Sequence, residues 1–166
     1  MCIRDSNNIP RNYLLRLNSD GSLDKSFNNN SGPNGAVLST AIQPNGKIII
    51  AGEFNSFNGK NQSYITRINP DGSLDPNFKS GLGANWTIHS VAIQSDGKII
   101  VGGIFTSFNG VSRKLIARLN SNGSLDKSFN PRYLANSENS RVYSIIHQKD
   151  GKILVGGEFD FSEQLL

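Results

Sequence analysis

Two phrases recur along this chain at a nearly constant spacing, and this repeat restricts the fold more than any other feature. The first phrase, RLNSDGSLDKSFN in its first copy, starts every 51 residues, at Arg16, Arg67 and Arg118. The second, QPNGKIIIAGEF in its first copy, starts at Gln43, Gln94 and Gln148. Repeats of this length are typical of solenoids and propellers, in which each unit buries its core against its neighbours.

The content of each unit predicts β structure. The runs KIIIAGEF, KIIVGGIF and KILVGGEF are apolar at successive positions, which is typical of strands buried on both faces, and no segment has helical periodicity. Asn45-Gly46 and its copies separate apolar runs and predict hairpins with type I′ turns. One unit therefore contains four predicted strands, at residues 37–43, 47–54, 63–69 and 73–78. Four antiparallel strands per repeat indicate the blade of a β-propeller.

The connections differ in length and in variability. Tight turns join the first strand to the second and the third to the fourth, whereas the second connection, 54–62 or 105–113, is longer. The links between blades, 28–36, 79–87 and 130–141, differ in every copy. Because strand direction alternates, the second connections and the links are predicted to share one face, where binding residues are expected.

The paired phrases resemble the delta-60 repeat, a bacterial β-propeller family of unknown function. The resemblance covers residues 13–159. It implies a propeller of about seven blades, often within long secreted or surface proteins, and it brings no catalytic residues with it.

The repeat phase predicts how the blades are divided. Residues 1–6 (MCIRDS) are interpreted as a non-native leader, 7–28 as the second half of a blade, 29–79 and 80–130 as full blades, and 131–166 as the first half of a blade. The fold class is thus all-β, an open arc of four-stranded propeller blades that form an incomplete propeller. Its expected partners include the remaining blades of the same polypeptide, and its unpaired edges favour self-association.

The candidate binding residues lie on the predicted variable face. They are Trp86, Arg132 and Tyr133 in the links and Arg113 at the end of a second connection. Aromatic and arginine side chains are common anchors, so they indicate contact with a protein or a glycan. For Trp86 the alternative is a side chain that fills the seam between blades. The net charge of +4 is spread without a basic run, so no nucleic-acid partner is predicted.

The motif N-x-D-G-x-x-D, at Asn69, Asp71, Gly72 and Asp75 in one copy, is open to two interpretations. It resembles part of a calcium loop, but Arg67 occupies the place of the first calcium ligand. The preferred interpretation is an Asx-type turn with no metal bound. An exposed Arg67–Asp75 pair would then contribute only about 0–1 kcal/mol. Phe78→Ala is therefore expected to destabilise more than Asp75→Ala.

No recognisable catalytic motif is present, and no cofactor is predicted. His89 and His147 occupy different repeat positions, and Ile104 replaces the glutamate that recurs at Glu53 and Glu158. The lone Cys2 lies in the suspect leader, and no apolar run is long enough for a membrane span. The predicted function is a non-enzymatic binding or structural module of a bacterial protein, extracellular or on the cell surface, with its signal peptide outside this sequence. The alternatives are a propeller enzyme whose active site lies in missing blades, a calcium-stabilised propeller and an intracellular scaffold.

Overall fold

The computed structural model describes residues 3–4, 10–11, 13–28, 30–131 and 139–159, and all regular elements in these ranges are β-strands. The strands are β1 (Ile3–Arg4), β2 (Pro10–Arg11), β3 (Val37–Ile42), β4 (Ile48–Gly52), β5 (Ser56–Phe57), β6 (Lys60–Asn61), β7 (Ile65–Ile68), β8 (Ile88–Ile93), β9 (Ile99–Gly103), β10 (Ser107–Phe108), β11 (Val111–Ser112), β12 (Ile116–Leu119), β13 (Arg141–His147) and β14 (Ile153–Glu158). Strand β1, which pairs with β2, falls within the predicted leader, whose origin stays a prediction.

Each complete repeat forms a three-stranded antiparallel sheet and a separate two-stranded hairpin, β5-β6 or β10-β11. The orders are β3-β4-β7 and β8-β9-β12, while β13 and β14 form a two-stranded sheet in the described residues. The register repeats as well, since Ile48 pairs with Ile68 in the first sheet and Ile99 with Leu119 in the second. The first strands β3, β8 and β13 are neighbours, so the sheets are arranged like successive propeller blades with these strands innermost. The predicted all-β, open-arc architecture is confirmed.

The core lies between the sheets. Ile49 and Ile65 of the first complete blade pack in one apolar cluster with Val91, Val101 and Phe108 of the second. A further cluster packs the second sheet against β13. Because burial of one large apolar side chain is worth roughly 1.5–3 kcal/mol, contacts between neighbouring blades hold the arc together.

The fourth predicted strand of each unit is reduced to a single pairing. Leu74 bridges Ile68, and Leu23 and Leu125 make the matching bridges with Leu17 and Leu119. Residues 76–77 then form a turn, since the N–H of Phe78 bonds the Asp75 carbonyl (3.4 Å). The side chain of Asp75 accepts the N–H of Asn77 (3.0 Å), and this local bond competes with an extended ladder.

The type I′ turn occurs at a different site from the one predicted. At Asn45-Gly46 only the glycine has positive φ (78°), and the Gln43 N–H bonds Lys47 across a three-residue loop. That geometry is a type I turn followed by a left-handed glycine. Both central residues have positive φ at Asn58-Gly59 (49° and 74°), which joins β5 to β6. The second connection therefore contains its own hairpin.

Candidate functional site

The link before each blade and the second connection of that blade lie against each other. Asn34 donates its backbone N–H to the Ser56 carbonyl (3.1 Å), and its side-chain oxygen accepts the Ser56 N–H (3.0 Å). Asn85 makes the same pair of bonds with Ser107 in the next blade. The predicted shared face is thus confirmed. We call it the loop face, defined by residues 30–36, 53–62, 79–87 and 104–113.

The second blade presents two large apolar side chains on the loop face. Leu82 is 74% exposed and Trp86 is 56% exposed. The first blade has Ser31 and Gly35 at the same repeat positions. At this exposure Trp86 does not fill a seam among the described residues, so the loop face of this blade carries apolar surface that its neighbour lacks.

The other predicted binding residues are placed differently. Arg113 is buried (7% exposed), and its guanidinium donates to the carbonyls of Ser112 (2.8 Å) and Lys127 (3.1 Å). Its position at the end of a connection suggested exposure, but these backbone acceptors hold it inside the blade. Arg132 and Tyr133 lie outside the described residues. Of the four candidates, Trp86 is the one that the described residues present to solvent.

Each first strand carries a β-bulge near the loop face, at Leu38, His89 and Tyr143. A bulge re-aims its side chain. The rings of His89 and Tyr143 stack with centroids 5.5 Å apart, and His89 Nδ1–H donates to the Val142 carbonyl (3.0 Å). Leu38 and Tyr143 are 44% and 48% exposed. The bulges therefore bring residues from successive blades together on one side.

Sequence reasoning missed this group, although a signal was present. The position five residues before each repeated glutamine holds leucine, histidine or tyrosine, while serine follows it in every copy. Variation inside a repeated strand marks a residue that packing does not determine. His89 was compared only with His147, which occupies a different repeat position, and not with Leu38 and Tyr143, which share its own.

In the first complete blade the repeated arginine and aspartate form a buried pair, not the exposed pair that was predicted, and the arginine also bonds the next blade. Arg67 and Asp75 are 6% and 3% exposed, and Arg67 Nε lies 2.7 Å from Asp75 Oδ2. Lys47, which precedes β4, places its Nζ 2.8 Å from the same oxygen. Arg67 Nη1 donates to the Ser121 carbonyl in the next blade (2.7 Å) and to Gln43 Oε1 (3.0 Å). The phrase common to all copies is thus used in holding neighbouring blades together.

The electrostatics of these turns follow from the same contacts. Burial raises the pKa of Asp75, but bonds from Lys47, the Asn77 N–H and Arg67 outweigh it and lower the pKa to about 2. At Asp24 the Ser26 hydroxyl and N–H, with Arg16, lower the pKa to about 2. Asp126 is shifted in the same direction, first by the Ser128 hydroxyl. All three carboxylates are charged at neutral pH.

The N-x-D-G-x-x-D motif forms the predicted Asx turn. Asp71 Oδ1 accepts the backbone N–H of Ser73 (2.9 Å) and its hydroxyl (2.7 Å). Asn122 makes the same two bonds with Ser124, so a carboxylate is not required. Among the residues that the structure describes, no three His, Cys, Asp or Glu side chains form a group that could hold a metal ion.

The comparison with protein families decides the identity of the repeat. The chain matches a domain of unknown function (DUF5122) β-propeller over residues 3–27, 43–78, 94–129 and 148–164. The chain belongs to the DUF5122 β-propeller family. No curated protein and no solved structure matches it. In the described part of this DUF5122 propeller, no helix has the length and apolar character needed to cross a membrane.

The matched segments contain the two repeated phrases and leave most of the links unmatched. The family match therefore covers the second and third strands of each complete blade, the Asx turns and the arginine contact between blades. The exposed side chains of Leu82 and Trp86, and the bulge residues, lie in the unmatched segments 28–42, 79–93 and 130–147.

Proposed function

We propose that this DUF5122 propeller is a non-enzymatic binding module of a bacterial secreted or cell-surface protein, and that its loop face contacts a glycan or a protein. The observation that carries the proposal is that the repeated residues and the variable residues have different roles. The polar residues common to the copies bond neighbouring blades, whereas exposed Trp86 and the bulge residues His89 and Tyr143 differ between copies. Rigid scaffolds that present variable connections typically use them for recognition.

The loop face has the properties of a preformed contact surface. The side chain of Asn85 bonds Thr106 and Ser107 across it (2.9 Å each), so the backbone around Trp86 is fixed before any ligand arrives. A fixed indole offers a large apolar area at low entropic cost, which suits stacking on a sugar ring or packing in a protein interface.

Two features support the proposed location. The resemblance to delta-60 repeats implies long secreted or surface proteins. The only cysteine is Cys2, so an oxidising exterior would meet no thiol in the repeat region.

A binding screen tests the proposal. The full chain is applied to an array of bacterial and host oligosaccharides and to a peptide array. Trp86 is the only tryptophan, so its emission also reports contact at the loop face directly. We expect saturable binding to one array, weakened roughly tenfold or more by Trp86→Ala.

Ile42→Ala is the matched control, because Ile42 is 70% exposed but lies beside the tight turn at the other end of its blade. It is expected to leave binding unchanged. Absence of binding on both arrays, or binding that Trp86→Ala and Tyr143→Ala leave intact, would contradict the loop-face proposal. Chemical turnover of a bound array ligand would contradict the non-enzymatic part.

A further inference from the structure

The second complete blade carries three cationic side chains that lie close together. Arg113 and Lys114 are neighbours in the chain, and the Arg113 guanidinium donates to the Lys127 carbonyl (3.1 Å). Lys114 and Lys127 are exposed, and neither forms an ion pair among the residues that the structure describes. We call Arg113, Lys114 and Lys127 the basic cluster. The first complete blade has uncharged residues at these repeat positions, Gln62, Ser63 and Pro76.

The buried member of the basic cluster has no carboxylate partner in the described residues. Arg113 is 7% exposed, and its guanidinium donates to the backbone carbonyls of Ser112 and Lys127. Its Nε is buried without a hydrogen-bond partner. A buried charge without a counterion is unfavourable, and its field is weakly screened inside a protein. An anionic group bound beside the cluster would offset this penalty.

The two carboxylates of the second complete blade lie at its other end, where they are already paired. Lys98 Nζ lies 3.7 Å from Asp96 Oδ2 and 3.3 Å from Asp126 Oδ2. On the loop face, Ile104 occupies the position where the first blade has the exposed Glu53. The loop face of the second blade therefore has no carboxylate of its own, and the basic cluster gives this side of the blade a positive potential.

Hydrogen bonds connect the basic cluster to the exposed apolar side chains of the same blade. The backbone N–H of Arg113 donates to the Thr106 carbonyl (3.0 Å), and the Thr106 hydroxyl accepts the side-chain amide of Asn85 (2.9 Å). Asn85 precedes Trp86, and Leu82 lies on the same link. We call the surface formed by Leu82, Trp86 and the basic cluster the apolar–basic patch. It combines exposed apolar area with unpaired positive charge.

The chemistry of the apolar–basic patch favours a protein ligand over a sugar. Sugar hydroxyls require hydrogen-bonding groups beside the aromatic ring, but the amide of Asn85, the residue next to Trp86, is already bonded to Thr106 and Ser107. Leu82, at 74% exposure, offers a contact that an apolar side chain fills and a hydroxylated ring does not. Aromatic and arginine residues are also enriched at protein interfaces.

We propose that the apolar–basic patch binds an acidic segment of a partner protein, whose apolar side chains pack on Leu82 and Trp86 and whose carboxylates face the basic cluster. This ligand assignment rests on the proposed binding function and selects a protein, not a glycan, as the ligand. Opposite charges steer the two partners together, and the buried apolar side chains supply most of the affinity.

Three short fluorescein-labelled peptides test the assignment on the full chain. The first has glutamates around two leucines, the second has lysines in place of the glutamates, and the third has serines in place of the leucines. We expect saturable binding of the first peptide, detected by fluorescence anisotropy and by a change in Trp86 emission. The other two should bind roughly tenfold more weakly or worse. Binding of the first peptide should also weaken as salt rises from roughly 0.05 to 0.5 M.

Substitutions locate the contact. Trp86→Ala removes apolar area and Lys114→Glu reverses a charge, so each should raise the dissociation constant of the glutamate peptide roughly tenfold or more. Ile104→Glu gives the second blade the residue that the first has at Glu53, so it should fold normally and weaken binding in the same way. Lys149→Glu is the matched control, because Lys149 is exposed in the tight turn between β13 and β14, at the other end of its blade. It should change the constant less than about twofold.

Equal binding of the glutamate and lysine peptides would overturn the assignment. So would binding that Lys114→Glu and Ile104→Glu leave intact while both retain the far-ultraviolet spectrum of the wild type. Polygalacturonate is the matched glycan probe: if it binds in a manner that requires Trp86 and the glutamate peptide does not bind, the protein assignment falls and the proposed function stands. If none of these probes binds, the assignment also falls, and the arrays described above then decide whether the proposed function stands.

Discussion

The complete blades in the middle of this molecule and the half-blades at its edges contain equivalent repeat positions in opposite surroundings. Ile68 is fully buried while Leu17, at the same repeat position, is 55% exposed. Asp75 is held by two cations, Arg67 and Lys47, whereas the described cationic partner of Asp24 is Arg16. Because residue type and local turn are shared, the difference comes from the neighbouring strands and blades. In a repeat protein the energetic weight of a residue is therefore set largely by its nearest neighbours.

The largest loss of stability is expected from replacing the buried aspartate Asp75. We expect Asp75→Ala to lower the free energy of unfolding by about 3–5 kcal/mol, because it leaves the buried Arg67 guanidinium without its carboxylate. Asp24→Ala is the matched change at the edge and should cost much less, since Arg16 there remains hydrated. Urea unfolding of both variants measures the difference; equal losses would mean that the turn alone, and not the blade around it, determines the effect.

Urea unfolding also tests the expectation from the sequence that Phe78→Ala destabilises more than Asp75→Ala. Phe78 was expected to matter more than Asp75, but the phenyl ring is only partly buried, with Arg67 stacked 5.1 Å from its centroid. We now expect Asp75→Ala to destabilise at least as much as Phe78→Ala. A clearly larger loss for Phe78→Ala would show that packing of the ring against Gly123 of the next blade outweighs the ionic contact.

A slightly smaller effect is expected in the apolar core. Ile68→Ala should cost about 2–4 kcal/mol through lost burial and a residual cavity. Leu17→Ala, the matched edge change, should fall within about 0.5 kcal/mol of the wild type when the chain is dilute enough to be monomeric. Urea unfolding under that condition measures both. A large loss at Leu17 in the monomer would show that the half-blade is packed more tightly than its exposure indicates.

Several features of the fold could be predicted from the sequence at these positions. The 51-residue spacing of Arg16, Arg67 and Arg118 was enough to predict the blades, their order along the chain and the shared loop face. The Asx turn at Asp71 also followed from local chemistry. These features depend on short-range rules that every copy repeats.

Contacts between residues that are distant in the sequence could not be predicted in this way. The burial of the Arg67–Asp75 pair depends on Ser121 and Gln43, which lie 54 and 24 residues away from Arg67. Asn45-Gly46 also satisfied the dipeptide rule for a type I′ turn, yet the three-residue loop between Gln43 and Lys47 gives positive φ only to the glycine. Arg113 was predicted to be exposed because it ends a connection, but its guanidinium donates to backbone carbonyls inside the blade.

Lowering the pH should affect the contribution of Asp75 to stability more than that of Asp24. The pKa of Asp75 is lowered to about 2, so its carboxylate contributes stability that is complete above the ordinary value of 3.8 and is lost as the pH falls toward 2. We expect the urea midpoint to drop through this interval, and the drop to shrink in Asp75→Asn. Asp24→Asn should change the profile less, because much of its shift comes from Ser26, two residues away, and a contact so local can persist in the unfolded chain. Identical profiles for the two variants would contradict this assignment.

The smallest effect is expected at the innermost strands, where one serine per blade accepts a backbone N–H from the next blade. Ser39 Oγ accepts the Val91 N–H (3.1 Å) and Ser90 Oγ the Ile145 N–H (3.0 Å), while Ser144 has no such partner among the described residues. Ser90→Ala should therefore cost about 1 kcal/mol by leaving a buried donor unpaired. Ser144→Ala should cost almost nothing in a monomer, since water reaches the hydroxyl at this exposed position. Equilibrium urea unfolding of both variants measures the difference in the free energy of unfolding. Equal losses for Ser90→Ala and Ser144→Ala would contradict the assigned role of the Ser90 hydroxyl.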